Sequence, residues 1–255
     1  MEQAKAGYRR VLQELLVVIA ALILLVALWY VVAVTYEKPY LPAPSQVVLE
    51  LRESFTRGVL VENALITLKR VVTAILIALI LGFSSGLLAS RTAAGSRVLR
   101  PIILATYPIP HVTLIPILLW ILGVEWSKIA VIAIITYYPI ALSTMEWATR
   151  TPREYEDLVK SMGGSRLHII LYVVIPYIIP GLLTGLRIAT STAYAVVFIA
   201  ESFVLTGGLG ALIEDSWHRF DYPAVYAYVI TLATMGITSY TIIWALEKAY
   251  MRRLA

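Results

Sequence analysis

The stretch Leu12-Gln-Glu-Leu-Leu-Val-Val-Ile-Ala-Ala-Leu-Ile-Leu-Leu-Val-Ala-Leu-Trp-Tyr-Val-Val-Ala-Val34 is apolar apart from Gln13 and Glu14 near its start. A bilayer core about 30 Å thick needs about 20 such residues at a rise of about 1.5 Å each. The stretch therefore reads as a membrane-spanning helix. Basic Lys5, Arg9 and Arg10 precede it, as they would in a secretory signal. A signal's apolar run is only about 7–15 residues and ends in small residues. This run is longer and ends in bulky side chains, which favours an uncleaved span.

Five further stretches meet the same criterion: Leu65 to Ser90, Ile102 to Gly123, Ile129 to Ala148, Ile169 to Ala200 and Pro223 to Leu246. The expected fold class is all-α, a polytopic membrane protein with six transmembrane helices. Residues 1–11 form an inner terminus, 12–246 a single membrane domain and 247–255 an inner tail. Composition agrees, with 60% apolar and only 15% charged residues, against about half and about a quarter in soluble domains. The net charge of +5 reflects topology, not nucleic-acid binding. With the N-terminus inside, the inner segments hold 13 Lys and Arg and the outer ones 5. Counting Lys69 and Arg70 as outer leaves the inner side in excess, so both termini are expected to be cytoplasmic. Trp29, Tyr30, Trp120 and Trp126 fall at outer boundaries and Trp147, Trp244 and Tyr250 at inner ones, where amphipathic rings concentrate. In the first outer loop, Ser45 to Phe55 reads as an interfacial helix with Val48, Leu51 and Phe55 on its apolar side.

Between the fourth and fifth spans the chain reads Thr151-Pro-Arg-Glu-Tyr-Glu-Asp-Leu-Val-Lys-Ser-Met-Gly163-Gly-Ser165. Thr151 and Glu154 have capping-box spacing, with Pro152 at the first helical position. Gly163 and Gly164 supply a stop, since glycine tolerates the left-handed conformation that ends helices. A separate amphipathic helix, Pro152 to Met162, is expected. Tyr155, Leu158, Val159 and Met162 lie on one side and Arg153, Glu156, Asp157 and Lys160 on the other. Such a helix either rests in the headgroup layer or packs its apolar face on the membrane domain and offers its charged face to a cytoplasmic partner.

The spacing Asp157-Leu-Val, three residues, Gly163, nine residues, Val173, one residue, Ile175-Pro176 resembles the EAA loop, E-A-A-x3-G-x9-I-x-L-P. That loop marks the permease subunits of binding-protein-dependent ABC importers (MetI-like). Asp replaces the family's Glu, and Leu158 and Val159 replace its alanines. Leu41-Pro-Ala-Pro-Ser45, Thr67-Leu-Lys-Arg70, Pro108-Ile-Pro110, Leu114-Ile-Pro116, Gly181-Leu-Leu-Thr-Gly-Leu-Arg187, Ala200-Glu201 and Gly208-Leu-Gly210 resemble, in order, elements of the sulfonate, taurine and nitrate branch. The resemblance implies a type I importer fold. It implies a permease homodimer in a prokaryotic cytoplasmic membrane, two cytoplasmic ATP-binding subunits and an external solute-binding protein. Residues 152–163 would be the coupling helix, with Glu154, Glu156, Asp157, Lys160, Gly163 and Ser165 in contact with the ATPase. The solute would be a small anion such as a sulfonate, taurine or nitrate, or else a thiamine-pyrimidine precursor or riboflavin.

The chain contains no G-x-x-x-x-G-K-[ST] phosphate loop. It is expected to be non-catalytic and without a cofactor of its own, ATP and Mg being held by the partner ATPase. Pro176 and Pro180 in the fifth span, and Pro108 and Pro110 in the third, remove amide donors and should shape those helices. Irregular backbone at membrane depth is tolerated where it is buried or lines water, so Tyr107, His111 and Thr113 are candidate pathway residues. Arg187, deep in the fifth span, is either satisfied by backbone carbonyls or a carboxylate from another helix, or contributes to an anion path. His111, His168 and His218 lack metal-ligand spacing. Two other classes remain in view. A stand-alone secondary transporter or channel would show midplane acids and repeated halves, and a membrane-embedded enzyme would show clustered nucleophiles, metal ligands or acids.

Overall fold

The computed structural model describes the backbone of residues 2–254 and the side-chain surroundings of residues 16–252. Among these residues helices are the only regular secondary structure. Five stretches are long and apolar enough to cross a membrane: Leu16–Tyr36, Val59–Arg91, His111–Thr149, Arg166–Ser202 and Tyr222–Arg252. In chain order the helices are α1 (Glu2–Tyr36), α2 (Pro44–Thr56), α3 (Val59–Arg91), α4 (Arg100–Thr106), α5 (Ile115–Thr149), α6 (Arg153–Ser161), α7 (Arg166–Ile169), α8 (Ile175–Ser202), α9 (Leu209–His218) and α10 (Tyr222–Leu254).

The third expected span, Ile102 to Gly123, is not one helix. Pro108 and Pro110 have no amide hydrogen to donate. The chain leaves α4 at Thr106, turns through Tyr107–Pro110 and resumes as the 3-10 turn His111–Leu114. His111 Nε2 then lies 2.9 Å from Tyr138 Oη, 27 residues on. A straight helix would hold these residues about 40 Å apart, so the chain reverses between them. It does so at Gly123, whose φ of 76° and ψ of 178° lie outside the helical region. The six expected passes are therefore five long helices and one broken segment.

Small residues decide which helices touch. Ala74, Ala78, Gly82 and Gly86 recur every fourth residue along α3, and Gly181, Gly185, Ala189 and Ala193 along α8, all buried. Helices in lipid gain no hydrophobic drive by pairing, so close backbone approach through small residues is what holds them. Both stripes face α5. A Cβ at Gly86 would stand 2.6 Å from the Ala141 carbonyl oxygen, and one at Gly185 2.8 Å from that of Pro139. Gly82 meets Ile140 and Gly86 meets Thr144, so α3 and the later arm of α5 run parallel. Gly181 meets Trp147 and Gly185 meets Ser143, so α8 runs antiparallel to them. The bundle thus has two ends, one carrying Arg91, Thr149 and α6 (the α6 end) and the other Gly123.

Pro101 and Pro176 each sit just inside a helix that follows a π-helical turn, Gly95–Leu99 and Ile170–Val174 respectively. The wider turn accommodates the ring and the missing donor. Pro180 is buried within α8. α2 turns one edge to the bundle and leaves the other uncovered. Val47 and Ser54 are buried, Leu51 rests on the core, and Val48 and Phe55 point outward. Ser54 Oγ, 3.0 Å from Tyr228 Oη, fixes that face against α10. Among its described residues, 16–36, α1 leaves nearly all its apolar surface uncovered, and near its end the Trp29 indole donates to the Pro42 carbonyl at 3.1 Å and stacks on Tyr226.

Candidate functional site

α6 forms where the sequence places it, but its caps differ at one end. Pro152, in extended conformation, is the N-cap, and Thr151 makes no capping bond. The C-terminal stop is built from the two glycines. The Gly163 amide donates to Lys160 O at 2.9 Å and the Gly164 amide to Val159 O at 2.8 Å. That is the paired pattern of a Schellman end, and Gly163 supplies the required left-handed residue at φ +79°. Ser165 then caps α7, its amide donating to His168 Nδ1 at 3.1 Å.

Of the two orientations open to α6, the one with its apolar face packed on the membrane domain is not adopted. Tyr155, Leu158 and Met162 are exposed, Met162 at 80%. Of that face only Val159 packs on the bundle, against the cluster of Ala148, Ile169, Val174 and Ile178. It is instead a member of the charged face, Glu156, that turns inward to an ion pair with Arg91, the last residue of α3. Glu154, Asp157 and Lys160 are exposed, and Lys160 pairs with Asp157 at 2.7 Å. The outward surface is therefore an apolar ridge flanked by charges. Uncovered ridges of this kind mark contact surfaces for other molecules.

The residues placed at membrane depth separate into distinct groups. Tyr107 and His111 both meet Tyr138, with ring centroids at 5.3 and 4.9 Å, and His111 is buried while Tyr107 is exposed. Thr113 turns back to the Pro110 carbonyl at 2.8 Å. Arg187 lies elsewhere, 3.3 Å from Glu247 of α10 and over the Tyr240 ring. It has found the carboxylate on another helix that its depth requires. Beside it, α8 and α10 bound a groove of about 870 Å³ that includes Ser191, Tyr194, Phe198, Gly236, Tyr240 and Thr241, with no charged side chain in its lining.

Residues 74–254 match the family described as the binding-protein-dependent transport system inner membrane component. The chain belongs to this family. The permease is similar over most of its length to curated relatives. It is 30% identical over 228 residues to the formylaminopyrimidine transport permease protein of Halalkalibacterium halodurans, covering 89% of this chain and 91% of that one. It is 26% identical to the taurine transport system permease protein of Escherichia coli, covering 86% and 82%. The riboflavin transport system permease protein of Chloroflexus aurantiacus is 34% identical over 60% of this chain and 58% of its own. Among solved structures, the inward-facing MetNI methionine ABC transporter superposes with a TM-score of 0.66 at 18% identity, covering 76% of this permease and 97% of that chain. That likeness bears on the fold, which is the MetI-like architecture the sequence suggests.

One cluster escaped the sequence reading. Near the Gly123 end, Arg70 of α3 donates to Glu125 at 2.9 and 2.6 Å, to Glu201 at 2.8 Å and to the Gly207 carbonyl at 2.7 Å. Thr67 donates to Glu201 at 3.0 Å and accepts from the Leu209 amide at 2.9 Å. Asn63 accepts from the Gly208 amide at 2.7 Å, and Glu201 from that of Gly210 at 2.8 Å. Lys128 donates to Val204 O at 2.6 Å and Thr206 Oγ1 at 2.7 Å. The segment joining α8 to α9 is thereby stitched to α3 and α5. The available signal was the presence of Arg70, Lys128 and Glu201 in or beside apolar runs, where charges need partners. Thr67–Arg70, Ala200–Glu201 and Gly208–Gly210, which resemble family elements one by one, are parts of this single cluster.

Proposed function

We propose that this permease works as a homodimer in a prokaryotic cytoplasmic membrane, with the α6 end in the cytoplasm, importing a small planar nitrogen heterocycle delivered by an external binding protein. A separate ATPase subunit docks on α6 and drives the cycle. The excess of Lys and Arg on that side supports the orientation. The observation that carries the ATPase reading is α6 itself, a helix with a rigid glycine stop whose apolar ridge is left uncovered by its own chain.

The α8–α10 groove supports the solute class. Tyr194, Phe198 and Tyr240 line it with aromatic rings, and Ser191 and Thr241 with hydroxyls. The nearby Arg187 is already neutralised by Glu247, so the groove lacks the free cation an anion path calls for. The formylaminopyrimidine and riboflavin relatives support the same class, while the taurine relative supports an anion. Tyr107, His111 and Thr113, at the broken span, are proposed as further pathway contacts. Glu154, Asp157 and Lys160 are proposed to touch the ATPase, with Gly163 and Ser165 holding the helix to meet it.

The test is uptake into vesicles bearing the permease, its ATPase and its binding protein, using radiolabelled formylaminopyrimidine, riboflavin and taurine in parallel. ATP-dependent accumulation of a heterocycle and not of taurine supports the reading. Accumulation of taurine alone replaces the heterocycle with an anion. Uptake by the permease without any ATPase supports a stand-alone carrier.

A further inference from the structure

α6 buries no residue of its own in the bundle. Among the described residues, besides its two chain ends and the partly covered Val159, it is held by one polar link, Glu156 to Arg91. Arg91 is the last residue of α3, and its other guanidinium nitrogen donates to the Ala148 carbonyl at 3.2 Å. Ala148 lies in the last turn of α5, where carbonyls have no partner within the helix. One side chain therefore joins three elements: the end of α3, the end of α5 and the docking helix. Both members of the ion pair are more than four-fifths shielded, at 18% and 17% exposure, so solvent and salt weaken the pair less than a surface one.

The same α3 carries Arg70, about 31 Å away at 1.5 Å rise per residue. There it grips Glu125, Glu201 and the α8–α9 segment. α3 is thus a rod held by two arginines, one at its last residue on the docking helix and one about three turns in from its start on the far-end cluster.

Resting on the docking reading above, we propose that Arg91 is the positioning residue through which displacement of α6 reaches α3. Glu156 acts as its partner in this chain, not as a contact for the ATPase. Val159 and the flanking backbone hold α6 in place but leave it free to rock, and the ion pair makes that rocking pull on α3.

The chain has no cysteine, so labels can be placed at will. Leu65→Cys on α3 and Ile242→Cys on α10 are both exposed positions. Spin labels there report α3 against α10 in the permease–ATPase complex in nanodiscs, with and without MgATP. Arg91→Gln and Glu156→Gln are expected to retain the ATPase subunit on co-purification yet lose the MgATP-dependent distance change. The charge exchange Arg91→Glu with Glu156→Arg is expected to restore it. An unaltered change in Arg91→Gln overturns the proposal, as does absence of any change in the unsubstituted complex. Loss in the single variants without recovery in the exchange assigns Arg91 a purely structural role and overturns it too. Failure of the unsubstituted permease to bind the ATPase sinks the docking reading itself, an outcome distinct from all of these.

Discussion

Arg70 and Glu201, 131 residues apart, meet at 2.8 Å with both side chains almost wholly buried within the protein. Neither is adjacent in sequence to any partner that would neutralise it, and the bundle is what brings them together.

Breaking this pair by removing one member leaves a buried charge without compensation, which costs about 3–5 kcal/mol. Arg70→Met is expected to lower the thermal unfolding midpoint of the purified permease sharply, because Glu201 then keeps only Thr67 and the Gly210 amide. Replacing both members by apolar residues is expected to recover part of the loss. An unfolding midpoint unchanged in Arg70→Met would show that the pair does not hold α8–α9 to α3.

At Gly163 the space around a new Cβ is open, so backbone strain alone sets the cost of substitution. A left-handed residue with a side chain costs roughly 1–2 kcal/mol. Gly163→Val is expected to insert normally and to lose transport-coupled ATPase activity. Gly163→Asn is expected to lose much less, since asparagine visits that region readily. Coupled ATPase rates of the reconstituted variants check the order.

Close packing against α5 makes the opposite prediction at Gly86, where a Cβ would meet the Ala141 carbonyl and Thr144. Overpacking of this kind costs about 1–3 kcal/mol. Gly86→Leu is expected to lower the unfolding midpoint. Gly58→Leu, in open space at a left-handed position, is expected to lower it less. The two midpoints measured side by side decide whether the small-residue stripe works by contact.

The apolar ridge of α6 predicts a binding defect without a folding defect. Leu158→Glu alters a side chain 59% exposed, so the unfolding midpoint is expected to hold. Affinity for the ATPase subunit is expected to fall about tenfold, a loss of ~1.4 kcal/mol. Titration of labelled ATPase onto the permease in nanodiscs measures it.

The α6 stop, the long spans and the broken third span were legible in the sequence to different degrees, each for a local reason. Hydropathy over 20 residues names a span whatever its neighbours do. A glycine pair after an amphipathic stretch names a helix end because the bonds involved reach back only three to five residues. Pro108 and Pro110 announced a distortion without saying that the helix would break outright. Which face α2 turns to the bundle was not legible, because Val47 and Ser54 are chosen by Tyr228 on α10 and not by periodicity. The same holds for α6, where Arg91 draws a charged residue inward.

What the sequence by itself determined is therefore a membrane-spanning permease with a capped helix between its fourth and fifth spans, since apolar length, caps and glycine stops act within a few turns. Only the tertiary structure decided which charges meet, which face of α6 stays open and where the chain doubles back at Gly123. Those outcomes depend on helices far apart in the chain approaching within a few ångströms, and the energies involved belong to pairs, not to any one residue's local pattern.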